Sequence, residues 1–331
     1  MSTFIPLSSP VCNLVQPQLV NFQGGLRMVD PFFHRKDKVV VIMGATGTGK
    51  SRLAIDLATH FFPAEVVNSD KMQVYKGLDI ATNKVTEEEC RGVPHHLLGI
   101  ADPDSNFTAA DFCLHANMAI DSIVERDRLP IIAGGSNSYI QAMVNDDAEF
   151  RLRYECCFLW VDVCLPVLDS FVSERVDRMV EAGLVDEVRQ LFDFLSDYTR
   201  GIRRAIGVPE LDHFLRIEAI ADERTKKRLL EAAIARIKMN NCVLARRQLQ
   251  KIHRLNSMWE WGMHRLDATE VFDKTGEEAE EGWEKLLARS KRIVKDFLQN
   301  ENPPLPASAK KGAGRMPAPP TTVAATVAAT Y

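Results

Sequence analysis

No stretch of about 18 uncharged apolar residues occurs in the 331-residue chain, so the sequence offers no helix able to cross a membrane. Paired cysteines are missing as well. The seven cysteines (Cys12, Cys90, Cys113, Cys156, Cys157, Cys164 and Cys242) are odd in number and never fall in a C-x-x-C spacing. The eight histidines form neither H-E-x-x-H nor a zinc-finger partner set. A disulfide framework and a structural zinc site are therefore not expected, and the thiols read as reduced small hydrophobes. Blocks of like charge are lacking too. The 41 Lys and Arg are interleaved with 45 Asp and Glu for a net charge of −4, which leaves no broad basic face to draw DNA or RNA onto the surface.

The first 29 residues contain no Asp, Glu or Lys, and Arg27 is their only charge. An acid-poor, hydroxyl-bearing terminus is what an organelle transit peptide looks like, so residues 1–36 read either as a plastid address or as a plain unstructured leader on a cytoplasmic protein. The far end, 301–331, is rich in Pro, Ala and Thr and is expected to be a disordered tail. Between them, Lys38-Val39-Val40-Val41-Ile42-Met43 is a β-branched run that ends in glycine, and Leu53, Ile55, Leu57 and Ala58 follow at helical spacing. Further apolar runs at 65–68, 96–100, 130–133 and 157–163, separated by polar or helical stretches, have the rhythm of a parallel sheet with crossover helices. From Val172 to Leu195 the apolar spacing is helical, a second amphipathic stretch covers 223–255, and 263–266 reads as a short strand that returns to the sheet. The expected organisation is an α/β core at 37–165, a helical subdomain at 166–260, and a return to the core with a terminal helix at 261–300.

Gly44-Ala45-Thr46-Gly47-Thr48-Gly49-Lys50-Ser51 fits G-x-x-x-x-G-K-[ST] and stands between a predicted strand and a predicted helix. Its glycines let consecutive N–H groups converge on a phosphate at the positive end of the helix; Lys50 adds a cation and Ser51 a hydroxyl ligand for magnesium. The fold class is thus α/β, a parallel sheet of the P-loop NTPase kind carrying a helical subdomain. The motif identifies a polyphosphate, not a reaction. Asn83-Lys84-Val85-Thr86 has Thr86 where a guanine-reading N-K-x-D needs aspartate, which argues against a GTPase. Phe158-Leu159-Trp160-Val161-Asp162 resembles a Walker B strand, and Asp162 reads either as a magnesium ligand or as a structural strand-end carboxylate. Asn68-Ser69-Asp70-Lys71 follows the second strand, on the edge where strand C-termini gather. A carboxylate such as Asp70 beside bound polyphosphate is an electrostatic liability unless it handles a proton or a metal. Gly134-Gly135 opens a helix after the fourth strand and would let a ligand approach the backbone.

In order along the chain, "GATGTGKS", "NSDKMQVYKGLDIATNK", "PHHLLG", "AGGSNSYI", "VDRMVEAGLVDEV" and "GIRRAIGVPEL" resemble the isopentenyltransferases that prenylate adenine, over about 38–255, and most of all the plant adenylate isopentenyltransferases of cytokinin synthesis. The resemblance implies that Gly44, Gly47, Thr48, Gly49, Lys50 and Ser51 hold the diphosphate of dimethylallyl diphosphate with magnesium at Ser51. It also implies that Thr46 touches the bridging oxygen and that Asp70 accepts the proton from the adenine amine. Arg203 and Arg204 match a basic pair that faces phosphates, one of the two being expected to contact ligand. Asn68, Ser69 and Lys71 are further candidates for the acceptor or its phosphates, with Lys84, Lys226 and Lys227 weaker still.

Two acceptors fit such a family, a free adenine nucleotide and an adenosine of tRNA. The acidic net charge and the lack of a C-terminal Cys and His set favour free ATP or ADP, with AMP also open, while the basic helix "LARRQLQKIHRL" at 244–255 keeps tRNA as the alternative. A small-molecule kinase using Lys50, Ser51, Asp162 and Asp70 is a further reading, and a nucleotide-sensing module a third. The partners expected are the prenyl donor and a free nucleotide, with no DNA and no membrane, acting on a monomer.

Overall fold

The protein is described by a computed structural model over residues 36–300, apart from 62 and 260. The proposed leader, save its last residue, and the tail therefore lie outside the described residues. The chain opens with strand β1 (Asp37–Gly44) and helix α1 (Lys50–His60), then β2 (Ala64–Asn68), α2 (Glu87–Cys90), β3 (His95–His96), α3 (Ala109–Glu125) and β4 (Leu129–Ala133). Short helices α4 (Asn137–Gln141) and α5 (Ala148–Arg153) lead to β5 (Tyr154–Asp162). The chain continues through α6 (Leu165–Glu181), α7 (Leu184–Leu191), α8 (Val208–Ile217) and α9 (Glu223–Trp259), and closes with β6 (His264–Asp267), α10 (Thr269–Asp273) and α11 (Gly276–Gln299). All strand pairs are parallel, in the order β3-β2-β4-β1-β5-β6.

Alternation within β1 builds both faces of the sheet. Val40 and Ile42 join an apolar cluster with Leu53 and Leu57 of α1, Leu168 and Val172 of α6, and Trp283 and Leu287 of α11. Val39, Val41 and Met43 face the other way, onto Phe112, Ile120 and Ile123 of α3, Tyr139 of α4, and Ile252 and Leu255 of α9. A third cluster lies outside the sheet and gathers Val176 of α6, Leu184 and Val188 of α7, Leu211 and Phe214 of α8, and Ala233 and Ile237 of α9. Helix α9 enters all three, because Ala245 belongs to the first. At about 1.5 Å per residue, its 37 residues make a rod that ties the helical layer to both faces.

The structure departs from the sequence expectation in two places. The strand expected at 96–100 stops at His96 because Leu97 and Gly99 take left-handed backbone conformations, φ 63° and 59°, which no ladder accommodates. The helical run expected through Leu195 is divided by Gly183, whose φ of 102° ends one helix and starts the next, and α7 ends at Leu191.

The edge of the sheet beneath the site is held by one buried carboxylate. Glu65 of β2 is only 2% exposed, accepts hydrogen bonds from Arg126 Nη2 at 2.8 Å and Arg128 Nη1 at 2.6 Å, and shares one with His96 Nε2 at 2.6 Å. Burial pushes its pKa up, but the bonds from His96, Arg128 and Arg126 outweigh that and hold it below the usual value of 4.5. A depressed carboxylate contributes stability that is present above its unfolded pKa and lost as the pH falls through the folded one. Glu65→Gln should therefore lower unfolding free energy by about 1–3 kcal/mol at pH 7. In urea titrations the gap from wild type should narrow below the usual value of 4.5.

Candidate active site

Helices leave β1 and β4 toward opposite faces of the sheet, and the crevice between these neighbouring strands opens at their C-terminal ends. The loop after β1 turns on Gly47 and Gly49, with φ of 83° and 84°. These are conformations glycine adopts without strain. A Cβ on Gly47 would also lie 2.7 Å from Val172 Cγ1. Helix α1 begins directly after the loop with no acidic residue in its first turn, so its positive end is uncompensated. Lys50 is buried and its Nζ donates to the Ala45 carbonyl at 2.6 Å. Burial lowers its pKa to about 8, against a smaller opposing pull from Asp70 and with a further push from Arg175.

At the end of β2, Asn68 Nδ2 donates to the Leu97 carbonyl at 3.1 Å, and Asn68 Oδ1 accepts the Asp70 N–H at 3.2 Å. Asp70 Oδ1 accepts the Met72 N–H at 2.8 Å. Its other oxygen, Oδ2, faces Gly135 and accepts no hydrogen bond among the described residues. Ser69 is fully buried beneath Gly134 and lines neither of the cavities described next.

Two cavities meet over this edge. One, of about 550 Å³, is walled by Gly47, Gly49, Lys50 and Ser51 with Asn68, Phe171, Arg178, Phe272 and Trp283. The other, of about 490 Å³, is lined by Lys71, Met72, Met179, Arg204, Ile206, Asn241, Leu244, Arg247 and Lys251. Thr46, Asp70, Thr82, Asn83, Gly135 and Arg175 line both. The structure thus brings Thr46 and Asp70 to the junction, Gly47, Gly49, Lys50 and Ser51 to one side and Lys71 to the other. Gly44 and Thr48, also expected to hold the diphosphate, line neither cavity: Gly44 packs on Thr48 and Val161, and buried Thr48 donates from Oγ1 to the Ala45 carbonyl at 3.0 Å.

The two arginines of "GIRR" are separated. Arg204 lines the second cavity and its Nη2 reaches Tyr75 Oη at 3.4 Å, whereas Arg203 lies outside both cavities, paired with Asp104. Lys84 is bound to Asp79 and the Gly77 carbonyl, Lys226 is paired with Glu223, and Lys227 is exposed away from both cavities. Asp162 resembles a Walker B residue only in sequence. It is buried at the end of β5, where Arg265 of β6 donates to its Oδ2 from Nε at 2.7 Å, and it lines neither cavity.

Several residues at the junction escaped sequence reasoning. Arg175 donates from Nη2 to Thr46 Oγ1 at 3.0 Å and to Asn241 Oδ1 at 3.3 Å, and its buried Nε has no partner among the described residues. Burial, followed by the neighbouring charge of Arg178, lowers its pKa to about 10. Gln248 Oε1 accepts the Thr46 N–H. A signal for both existed. Arg175 sits among Leu168, Val172, Val176 and Met179, on the apolar stripe of α6, while Asn241 and Gln248 continue the stripe of Ile237, Ala245, Ile252 and Leu255 on α9. A polar side chain at a core-facing position marks a place where the core is interrupted. The basic stretch 244–255 resolves the same way, since Arg247 and Lys251 face the second cavity and Arg246 is paired with Asp169.

The sequence matches the IPP transferase family over residues 73–151 and 144–254. The chain belongs to that family. It is 65% identical over 298 residues to adenylate isopentenyltransferase 5, chloroplastic, of Arabidopsis thaliana, covering 88% of this chain and 89% of that one. It is 58% identical to the mitochondrial adenylate isopentenyltransferase 7 of the same plant, covering 83% and 84%. The tRNA dimethylallyltransferase 2 of Arabidopsis is more distant, 33% identical with 81% of each chain covered. Among solved structures, a eukaryotic dimethylallyltransferase acting on tRNA aligns with a TM-score of 0.67 at 25% identity, covering 81% of each chain. The full-length tRNA isopentenylpyrophosphate transferase of Bacillus halodurans aligns at 0.63 and 28% identity, covering 80% of this chain and 99% of that one. The family match begins beyond the phosphate loop and Asp70, so their reading rests on the motif and the geometry.

An anion entering the first cavity favours the charged form of Lys50. Its affinity is complete below the free-state pKa of about 8 and falls as the pH rises through it. Titration calorimetry with inorganic diphosphate should show binding weakening by about tenfold per pH unit above that point, and Lys50→Met should abolish this slope.

Proposed function

We propose that the protein transfers the dimethylallyl group of dimethylallyl diphosphate to the exocyclic amine of adenine in ATP or ADP, releasing diphosphate, as a plastid enzyme of cytokinin synthesis. The observation that carries this is the meeting of two cavities at Asp70 and Thr46, one backed by a phosphate loop and the other ringed by Lys71, Arg204, Arg247 and Lys251. The first suits the donor diphosphate and the second a nucleotide whose phosphates meet that basic rim. Relatives named adenylate isopentenyltransferases at 65% and 58% identity support the free nucleotide over tRNA, and their chloroplastic and mitochondrial names support an organellar address.

In this reading the allylic carbon to oxygen bond of the donor breaks as the bond from the adenine amine to that carbon forms. The leaving diphosphate takes up charge that the loop N–H groups and Lys50 stabilise, and Thr46 Oγ1 meets the bridging oxygen. The amine's lone pair is drawn into the ring, so it becomes a competent nucleophile only as its proton passes to Asp70, whose Oδ2 is the oxygen left free to receive it. Ser51 at the start of α1 and the donor's own oxygens form an all-oxygen set that suits magnesium. Among the described residues no group of three or more His, Cys, Asp or Glu forms a competing metal site. Magnesium bound there supplies further neutralisation of the diphosphate. The pairing of Asp162 with Arg265 weighs against the kinase reading, which needs that carboxylate for the metal.

The test is to incubate the protein with magnesium, dimethylallyl diphosphate and each of AMP, ADP, ATP and unmodified tRNA, following product by mass spectrometry. Prenylated ATP or ADP with release of diphosphate is expected. Product from tRNA alone would overturn the acceptor, and ADP released from ATP without prenylation would overturn the reaction. Asp70→Asn should lower kcat by about 10²- to 10⁴-fold while diphosphate still binds. In the same assay Arg204→Ala should raise the nucleotide KM by about tenfold or more, the loss of one charge-assisted contact, whereas Arg203→Ala should leave it within about twofold.

A further inference from the structure

The second residue inside the phosphate loop is held by a side chain some two hundred residues away in sequence. The Thr46 N–H donates to Gln248 Oε1 at 2.7 Å, and Nε2 of the same amide donates to the Gly135 carbonyl at 2.9 Å. Asn137 Nδ2 donates in turn to the Gln248 carbonyl at 3.0 Å, tying α9 to the start of α4 at the same level. Gly135 makes the approach possible, because a Cβ there would lie 2.6 Å from Gln248 Nε2 and 3.3 Å from Asp70 Oδ2. One amide therefore spans the loop that carries Thr46 and the loop that abuts Asp70.

The chemistry of the bridge is specific to glutamine. It needs an acceptor at one end for the Thr46 N–H and a donor at the other for the Gly135 carbonyl, which an amide provides and a carboxylate, ammonium or thioether does not. It also takes the Thr46 N–H out of the set available to an anion, so that residue is oriented before any donor arrives. The bridge stands on a firm base: on α9, Ala245 is buried against one face of the sheet and Ile252 and Leu255 against the other.

We propose that Gln248 is a positioning residue for prenyl transfer, an amide clip that holds the Thr46 loop against the Gly135 loop, which abuts Asp70, and so keeps Thr46 and Asp70 at the spacing the reaction requires. The proposal rests on the reading of Thr46 and Asp70 as the groups that meet the donor oxygen and the amine proton. Gln248 itself touches neither reacting atom. Loss of register between two reacting partners by about 1 Å costs roughly 10²-fold in rate, and it does so without removing the contacts that bind each partner.

Gln248→Met keeps the length of the side chain and removes both hydrogen bonds. Its kcat should fall by about 10²-fold, while KM for ATP, the Kd for inorganic diphosphate and the Tm stay close to wild type. Gly135→Ala pushes on the same amide from the other side, and its loss of rate should be smaller in the Gln248→Met background than in wild type, as coupled sites require. If Gln248→Met fails to fold, Gly135→Ala alone decides: a folded variant with undiminished kcat overturns the clip. A folded Gln248→Met with wild-type turnover also overturns it, as does a variant that loses diphosphate affinity in step with kcat, which would make Gln248 a binding residue. Failure of the wild-type enzyme to prenylate any nucleotide would instead overturn the proposed function, and the clip with it.

Discussion

The arrangement of the molecule depends on a crowd of cations gathered around the Asp70 carboxylate at the C-terminal edge of the sheet. Lys50, buried in the wall of the first cavity, and Arg175, at the junction of the two, both have pKa values lowered by desolvation, and Asp70 is the carboxylate that opposes them. Lys71 adds to the crowding, its pKa lowered by burial and then by Arg204 and Lys251. Like charges packed this closely in a low dielectric raise the energy of the empty site. A bound polyphosphate would relieve that repulsion and raise the pKa of Lys50 from about 8. In the proposed reaction the same field would act more strongly on a departing diphosphate, which gains charge as the donor bond breaks, and this is the difference between binding and catalysis.

Such a field collapses unless the frame resists it, and the frame is apolar. Trp283 of α11 is buried under the phosphate loop, its ring close to Gly49, with Nε1 donating to Asp56 of α1 at 2.7 Å. Arg52 covers the same ring, 4.3 Å from its centroid. Helix α11 thus braces the phosphate loop. On the other side, Glu187 of α7 accepts the N–H groups of Ile80 and Ala81 at 2.9 and 2.8 Å, which fixes the segment that presents Thr82 and Asn83 to both cavities. Two elements distant in sequence therefore fix the walls of one junction.

Much of this was legible from residue order. The β-branched run before Gly44 and the phosphate-loop pattern located β1 and α1, and Asp70 stood out as a carboxylate at the end of the next strand. What could not be read is what depends on elements meeting from afar. The pairing of Asp162 requires β6 to lie beside β5 with Trp160 opposite Arg265, a register that four residues of strand do not announce. The separation of Arg203 from Arg204 follows from a short 3-10 turn over Gly201–Arg204. In an α-helix, too, adjacent residues point in different directions, but neither pattern says which direction is inward. The strand expected at 96–100 failed because a left-handed leucine is not visible in composition.

A phosphate loop is usually read as the mark of a phosphoryl donor, and the geometry explains why that reading does not follow here. Phosphoryl transfer places the metal between loop hydroxyl and a carboxylate at a strand end, with the attacking group in line beyond the outermost phosphate. In this chain the carboxylate on β5 is paired with Arg265 and lines neither cavity, while Asp70, whose Oδ2 accepts no hydrogen bond among the described residues, lies beside Thr46 where the two cavities meet. In the proposed reaction the proton acceptor, Asp70, therefore lies toward the organic end of a ligand whose phosphates would occupy the loop. In that reaction the loop would hold a leaving group in place of a transferring one, and the same N–H cradle that elsewhere supports attack on phosphorus would support departure from carbon. The helical layer of α6 to α9 then enters the proposed chemistry, because it supplies Arg175, Arg204 and Gln248 and walls the cavity that would take the acceptor.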